Sequence, residues 1–160
     1  MTTRRRTAPP WWRRALPWVL GWLGVQGVVA LAGLLAAARL DEGGEGSTAI
    51  RRVRAMGGLE LRPTSPQLSR VRLDLAMGGA EIDLTGVGRP AGGVDVQLHV
   101  LMGGVGVRVP EDWRVWWSFA GVGGIGSDGA VARSADQHQA DLRVHARVLF
   151  GGVGVVETAR

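Results

Sequence analysis

The chain has no cysteine, no tyrosine and no lysine, and only two phenylalanines among its 160 residues. Without cysteine, neither a disulfide framework nor a thiolate metal site can form. Without lysine, all 19 basic residues are arginine, and the net charge of +5 needs locating before it is interpreted. Residues 1–14 carry Arg4, Arg5, Arg6, Arg13 and Arg14 and no acid, while the remaining fourteen arginines are matched by fourteen acids. The basicity therefore belongs to an N-terminal arm. A balanced body lacks the clustered basic face that nucleic-acid binding requires, so no nucleic-acid partner is expected. The length suits one domain with an appendage.

Charge is also missing from Ala15 to Ala38, ALPWVLGWLGVQGVVALAGLLAAA. At about 1.5 Å per residue, a helix of this length crosses a hydrocarbon core of roughly 30 Å. Trp11, Trp12, Trp18 and Trp22 crowd its first end, where indoles favour headgroups, and Pro17 falls in the first turn, where a helix tolerates it. A single transmembrane helix over residues 15–40 is expected, anchored in the bilayer. The alternative is a signal peptide cleaved after Ala36, Ala37 and Ala38, although an apolar h-region is usually about 7–15 residues, shorter than this run. The five leading arginines place residues 1–14 in the cytoplasm and the body outside, by the positive-inside rule. Gly21, Gly24 and Gly27, continued by Ala30, Gly33 and Ala36, put a small residue at every third position. Such a stripe lets helices approach closely and points to a homodimer or a partner helix. The plain alternative is that glycine and alanine abound in membrane helices.

After a connector at 41–48, expected to be flexible, the body (49–160) consists of short alternating segments of period two, which read as strands with one buried face. One phrase recurs: AMGGLELRP, LAMGGAEIDLTG, LMGGVGVRVPEDW and RVLFGGVGVVE. Aligned on the residue before the small pair, five units emerge, anchored at Met56, Met77, Met102, Phe119 and Phe150. The pairs that follow are Gly57-Gly58, Gly78-Gly79, Gly103-Gly104, Ala120-Gly121 and Gly151-Gly152. Apolar residues alternate before each anchor, as in Val71, Leu73 and Leu75, and again after the pair, as in Ala80, Ile82 and Leu84. Each unit thus predicts strand, glycine corner, strand. Units this short bury an apolar face only by stacking, so the fold class expected is all-β, a short β-solenoid behind one transmembrane helix. An antiparallel sandwich also uses alternating strands but gives no reason for repeated corners. The first unit carries Arg52 and Arg54 at inward positions, and the fourth loses alternation after Val122, as terminal or distorted repeats do. In-register stacking also brings Asp83 beside Arg62 and Arg108, and Asp74 beside His99, on the outward face. Each such pair contributes about 0.2–1 kcal/mol.

The segments MGGAEIDL, MGGVGVRVPEDWRV and FGGVGV resemble the C-terminal domain of LiaF-like proteins, the cell-wall-active antibiotic response family. The likeness runs from about Ala55 to Glu157, and RVPEDWRV is its most specific part. It implies a toast-rack β-solenoid attached to the membrane and a regulatory role in the cell-envelope stress response, alongside a membrane sensor kinase or another envelope component. Two departures stand out. Relatives often carry several membrane helices where this chain has one, and Gly106 and Gly154 replace a usual acid. No catalytic residue comes with the resemblance.

Motifs of enzymes are weak here. Gly121-x-Gly123-x-x-Gly126 matches a dinucleotide fingerprint in letters, but no amphipathic helix follows it. His138, Asp141 and His145 could be metal ligands, yet Arg143 and Arg147 flank His145 and oppose a cation. Glu111 and Asp112 read as a turn after Pro110, and Ser118 lacks a convincing base and acid. Trp113 and Trp117 point inward by alternation; Trp116 points outward, either as a contact for a partner or partly buried under the 128–141 loop. The reading is a non-enzymatic, cofactor-free accessory protein acting through protein interaction, with Trp116, Glu81, Asp83 and Arg108 as candidate contacts. The second reading is a structural or adhesin-like solenoid that self-associates through its open ends. Gly24→Ile with Gly27→Ile should reduce crosslinking between chains in membranes; undiminished crosslinking would remove the helix-association reading.

Overall fold

The fold was analysed in a computed structural model that describes residues 39–158 together with Val28, Leu31 and Leu35. The basic arm, Gly21, Gly24, Gly27 and most of the expected span lie outside the described residues. Among the described residues, no helix is long and apolar enough to cross a membrane. Val28, Leu31, Leu35, Arg39 and Leu40 are helical and exposed.

The body is all-β: one sheet of five parallel strands, with only a short 3-10 turn, Gln137–Gln139, among its connections. The strands are β1 (Ala49–Leu61), β2 (Arg70–Asp83), β3 (Val94–Pro110), β4 (Val115–Ser127) and β5 (Leu142–Thr158). Their spatial order is β1-β2-β3-β5-β4, so the units do not stack in chain order. The last strand enters between β3 and β4. Only residues 111–114 join β3 to β4, whereas 128–141 are long enough to carry the chain back to the vacated place beside β3.

Each expected strand-corner-strand unit is one continuous strand that changes phase at its glycine pair. In β2 the buried residues before the pair are Val71, Leu73 and Leu75; after it, Ala80 packs against the core and Ile82 is fully buried. From Leu75 to Ala80 is an odd step, which would send the second arm's side chains to the opposite face of a regular pleat. The first glycine of the pair reverses the pleat with a positive φ, 134° at Gly78 and 135° at Gly103. Both arms then face a single apolar cluster. The connections close it with Leu68, with Leu84 and Val87, with Trp113 and with Val131.

The glycines stand in register: Gly57 opposite Gly78, Gly78 opposite Gly103 and Gly103 opposite Gly151. In the fourth unit the partner of Gly151 is Gly123, so Gly123-Gly124 forms the bend and Val122 the anchor. This corrects the assignment of Phe119 and of Ala120-Gly121. Phe119 instead lies opposite Ala146, two residues into the inward series, and packs against the core, where the small neighbour leaves room for a ring. Gly121 is opposite Val148, and a register shift follows it that restores the alignment at Val122. The loss of alternation after Val122 is therefore the bend itself.

The connector is not free either. Glu42 pairs antiparallel with Arg51, and Thr64 N–H donates to the Glu45 carbonyl at 2.9 Å. Asp41 Oδ1 accepts the Val53 N–H at 2.8 Å, and Asp41 Oδ2 lies 2.7 Å from Arg54 Nη1. Arg52 and Arg54 occupy inward rows, opposite Leu73 and Leu75. Their charge at the end of the stack is met by Asp41, and the chain folds over the edge of β1.

A Cβ at Gly103 would collide with the Gly78 carbonyl oxygen, whereas one at Gly154 meets nothing. Positive-φ strain alone costs of order 1–3 kcal/mol. Gly103→Ala should destabilise the body by about 3 kcal/mol or more, and Gly154→Ala by no more than about 0.5 kcal/mol. Gly57→Ala should fall between them, since Gly57 shares the strain at φ 100° but has open space around it. Thermal melts of the three variants check the order.

Candidate interaction surface

Because the inward rows fill the core, function has to be sought on the outward rows. On the first arms those rows are polar and run across the sheet in register. One comprises Arg51, Arg72, Gln97, His145 and Ser118; the next comprises Val53, Asp74, His99, Arg147 and Ala120. A groove of about 580 Å³ lies between them on the β3–β5–β4 side, lined by Arg72, Gln97, His99, Ser118, His145 and Arg147.

The charges are largely paired. His99 Nδ1 lies 2.7 Å from Asp74 Oδ1, and Arg72 Nε is 3.2 Å from Asp74 Oδ2. The neighbouring pair, Asp95 and Arg143, is bidentate, with Nε to Oδ1 at 2.7 Å and Nη2 to Oδ2 at 3.1 Å. The bonds from Arg143 hold the Asp95 carboxyl below its usual value, outweighing partial burial. Burial pushes Asp74 upward, but its bonds from His99 and Arg72 bring it below the usual value overall. Arg147 is exposed and makes no ion pair among the described residues.

Trp116 is half-buried rather than free. Its ring centroid is 5.3 Å from that of His145, and it borders a small cavity with Arg133, Ser134 and Ala135. Trp113 is buried, and Trp117 packs against the core with the Arg133 guanidinium 4.5 Å from its ring centroid. Ser118 Oγ lies 3.3 Å from His145 Nδ1, and Gln97 stands opposite His145 on the other side.

The remaining candidates lie past the bend. Asp83 is opposite Arg108, as in-register stacking requires, but its carboxylate takes the Thr85 N–H at 3.0 Å and the Thr85 hydroxyl at 2.6 Å. Burial raises the Asp83 carboxyl, the Thr85 bonds and the two arginines lower it, and the balance is below the usual value. Arg108 reaches Glu81 instead, Nε to Oε1 at 2.6 Å, and Arg62 pairs with Glu60 on its own strand. Glu81, Asp83 and Arg108 form one cluster; Trp116, on the first arm, does not join it. Glu111 and Asp112 occupy a turn with Asp112 at φ 71°, and Asp141 accepts the Arg114 N–H at 2.9 Å. Among the described residues, His138, Asp141 and His145 do not converge as a metal site. The Gly121–Gly126 segment lies within β4, not at the start of a helix.

One outward feature escaped the alternation pattern. The anchors Met56, Met77, Met102, Phe150 and Val122 are 46, 47, 48, 50 and 59% exposed, and they form one row along the bend. Beside them Ala55, Ala76, Leu101 and Leu149 line an open groove of about 680 Å³, together with the side chains of Arg54, Asp74, His99 and Arg147. Half-exposed apolar residues in sequence look like core, and only the phase change at the glycines reveals that they sit outside.

No family model matches the chain, and no curated protein matches it. Among solved structures, it is similar to a putative cell adhesion protein from Clostridium sporogenes, with a TM-score of 0.45 and 11% identity. The match covers 69% of this chain and 55% of that one, so the chain spans little more than half the length of that protein.

The carboxylates of Asp74, Asp83 and Asp95 all stay ionised more readily in the fold than in the unfolded chain. Their contribution is therefore complete above the ordinary value of 3.8 and is lost as pH falls through their depressed folded values. Asp95→Asn should cost about 1 kcal/mol at neutral pH. The gap to wild type should close as pH falls below 3.8, which denaturant titrations across the acid range can check.

Proposed function

We propose that the chain is a membrane-anchored, non-enzymatic accessory or regulatory protein of the cell-envelope stress response, working through protein contacts made by a short β-solenoid. In this reading residues 15–40 form a single membrane helix, residues 1–14 lie in the cytoplasm, and the body lies outside. The observation that carries it is the in-register row of glycine pairs across five parallel strands. That arrangement is what a stacked repeat requires, and it supports the resemblance to the LiaF-like domain, whose repeated phrase contains those glycines. The uncharged run from Ala15 to Ala38 and the five arginines before it support the anchor and its orientation.

The first-arm face suits a protein partner. It offers the half-buried Trp116 and a polar groove lined by Arg72, Gln97, His99, Ser118 and His145. Arginine and tryptophan are the residue types that most often dominate binding energy at interfaces. A membrane sensor kinase or another envelope component is the partner class in this reading.

The adhesin-like alternative needs two free sheet edges for head-to-tail growth. Among the described residues β4 offers one past Val115, but β1 is bonded by Glu42 and Asp41 at Arg51 and Val53. Covered edges are a common defence against such growth.

A reporter fused after Arg160 should read as extracytoplasmic, and crosslinking in intact membranes should capture a membrane signalling protein with the wild-type chain and less of it with Trp116→Ala. A cytoplasmic reporter would reverse the orientation. Concentration-dependent polymers of the body, with no such capture, would favour the adhesin-like reading.

A further inference from the structure

We infer that the apolar row along the bend rests on the surface of the lipid bilayer that the N-terminal run enters, so the body docks sideways on the membrane rather than standing away from it. The inference rests on the proposal that residues 15–40 are membrane-inserted. Three observations carry it.

The first is the surface itself. Met56, Met77, Met102, Phe150 and Val122, with Leu101 and Leu149 beside them, expose apolar side chains on every strand. At about 4.8 Å per strand the row extends roughly 19 Å across the sheet. Contiguous apolar surface of this kind marks a contact with a partner or a membrane.

The second is where the uncharged run ends. It stops at Ala38, and three residues later Asp41 is bonded to the Val53 N–H and to Arg54 on β1. Val53 is three residues before the anchor Met56, about 10 Å along a strand. The chain thus leaves the body beside the bend, with no slack connector between them, and a bilayer entered there lies within reach of the row.

The third is charge. Arg54, Asp74, His99 and Arg147 line the same groove as Ala76 and Leu101; Arg54 is held by Asp41, and Asp74 by Arg51, Arg72 and His99, which leaves Arg147 without an ion pair among the described residues. Apolar side chains inserted at the acyl boundary, with one arginine, Arg147, reaching the phosphate level, make up an interfacial membrane contact. The acidic residues of the second arm, Glu60 and Glu81, are already engaged by Arg62 and Arg108 on the other side of the bend.

The absence of cysteine makes the test direct. The full chain is reconstituted into vesicles of mixed phosphatidylcholine and phosphatidylglycerol as single-cysteine variants Met102→Cys, Phe150→Cys and, as a control in the exposed turn after β3, Glu111→Cys. Each carries an environment-sensitive fluorophore. The expected result is blue-shifted emission at 102 and 150, quenched by brominated acyl chains, with aqueous, unquenched emission at 111. Met56→Cys and Met77→Cys repeat the measurement on two further strands if either of the first pair fails to fold. If the chain floats with the vesicles but labels at the bend are as aqueous as the control, the docking is overturned and the anchor stands. A blue shift without lipid quenching, accompanied by oxidative disulfide crosslinking between copies of the unlabelled Met102→Cys chain, would make the row a chain-chain interface and also overturn it. If the chain does not float at all, the anchor itself falls and the docking with it.

Discussion

Every strand but β1 bends at a glycine whose Cα lies against the carbonyl of the neighbouring strand. A Cβ at Gly78 would meet the carbonyl of Gly57, one at Gly103 that of Gly78, one at Gly151 that of Gly103, and one at Gly123 that of Gly151. This approach is possible only with hydrogen as the side chain, and the positive φ at each of these positions independently favours glycine. Much else follows from it. The bend favours this register, because a strand slipped so that its anchor residue took the first glycine's place would press a side chain against a carbonyl. It turns both arms towards one core, and it leaves the residue before the pair on the outside, which is why methionine and phenylalanine are exposed there.

The ends of the stack are managed by different means. At β1 the inward positions 52 and 54 carry arginine instead of an aliphatic residue, and Asp41 satisfies both the guanidinium of Arg54 and the backbone of Val53. A leucine at position 52 or 54 would present apolar surface where no further strand follows. At β4 the second arm is exposed, its glycines offering little apolar surface, while Trp117 and Phe119 close the first arm over β5. The arginine-only composition suits this arrangement, since a guanidinium can meet two carboxylate oxygens at once, as Arg143 does at Asp95.

The alternation of apolar residues made the strands, the inward rows and the glycine bends legible in sequence, and the cross-strand meetings of Asp74 with His99 and of Asp83 with Arg108 followed from them. Two features were not legible, each because a local rule was outweighed by a distant one. Phe119 looks like an anchor because it is aromatic and precedes a small pair, but the small Ala146 opposite gives the ring a place inside. The segment 41–48 has the composition of a flexible linker, yet Asp41 and Glu42 meet orphan donors and charges on an edge strand. For Trp116 the sequence left two readings, a partner contact or partial burial under the 128–141 loop, and the ring of His145 and residues 133–135 do half-cover it. The interaction surface was harder still to read, because the apolar row on the bend has the same letters as a core.

The insertion of β5 between β3 and β4 bears on how the chain assembles. β1, β2 and β3 can pair in the order in which they are made, each against a strand already present. β4 cannot, because its whole ladder is with β5, which is synthesised after it. During synthesis β4 therefore waits without a partner, tethered to β3 by only a few residues, until the final strand arrives and joins two separate surfaces at once. Closing that arrangement makes β5 a keystone: a chain cut short before Leu142 would hold three paired strands and an orphan, with Trp117 and Phe119 lacking the strand they lie against.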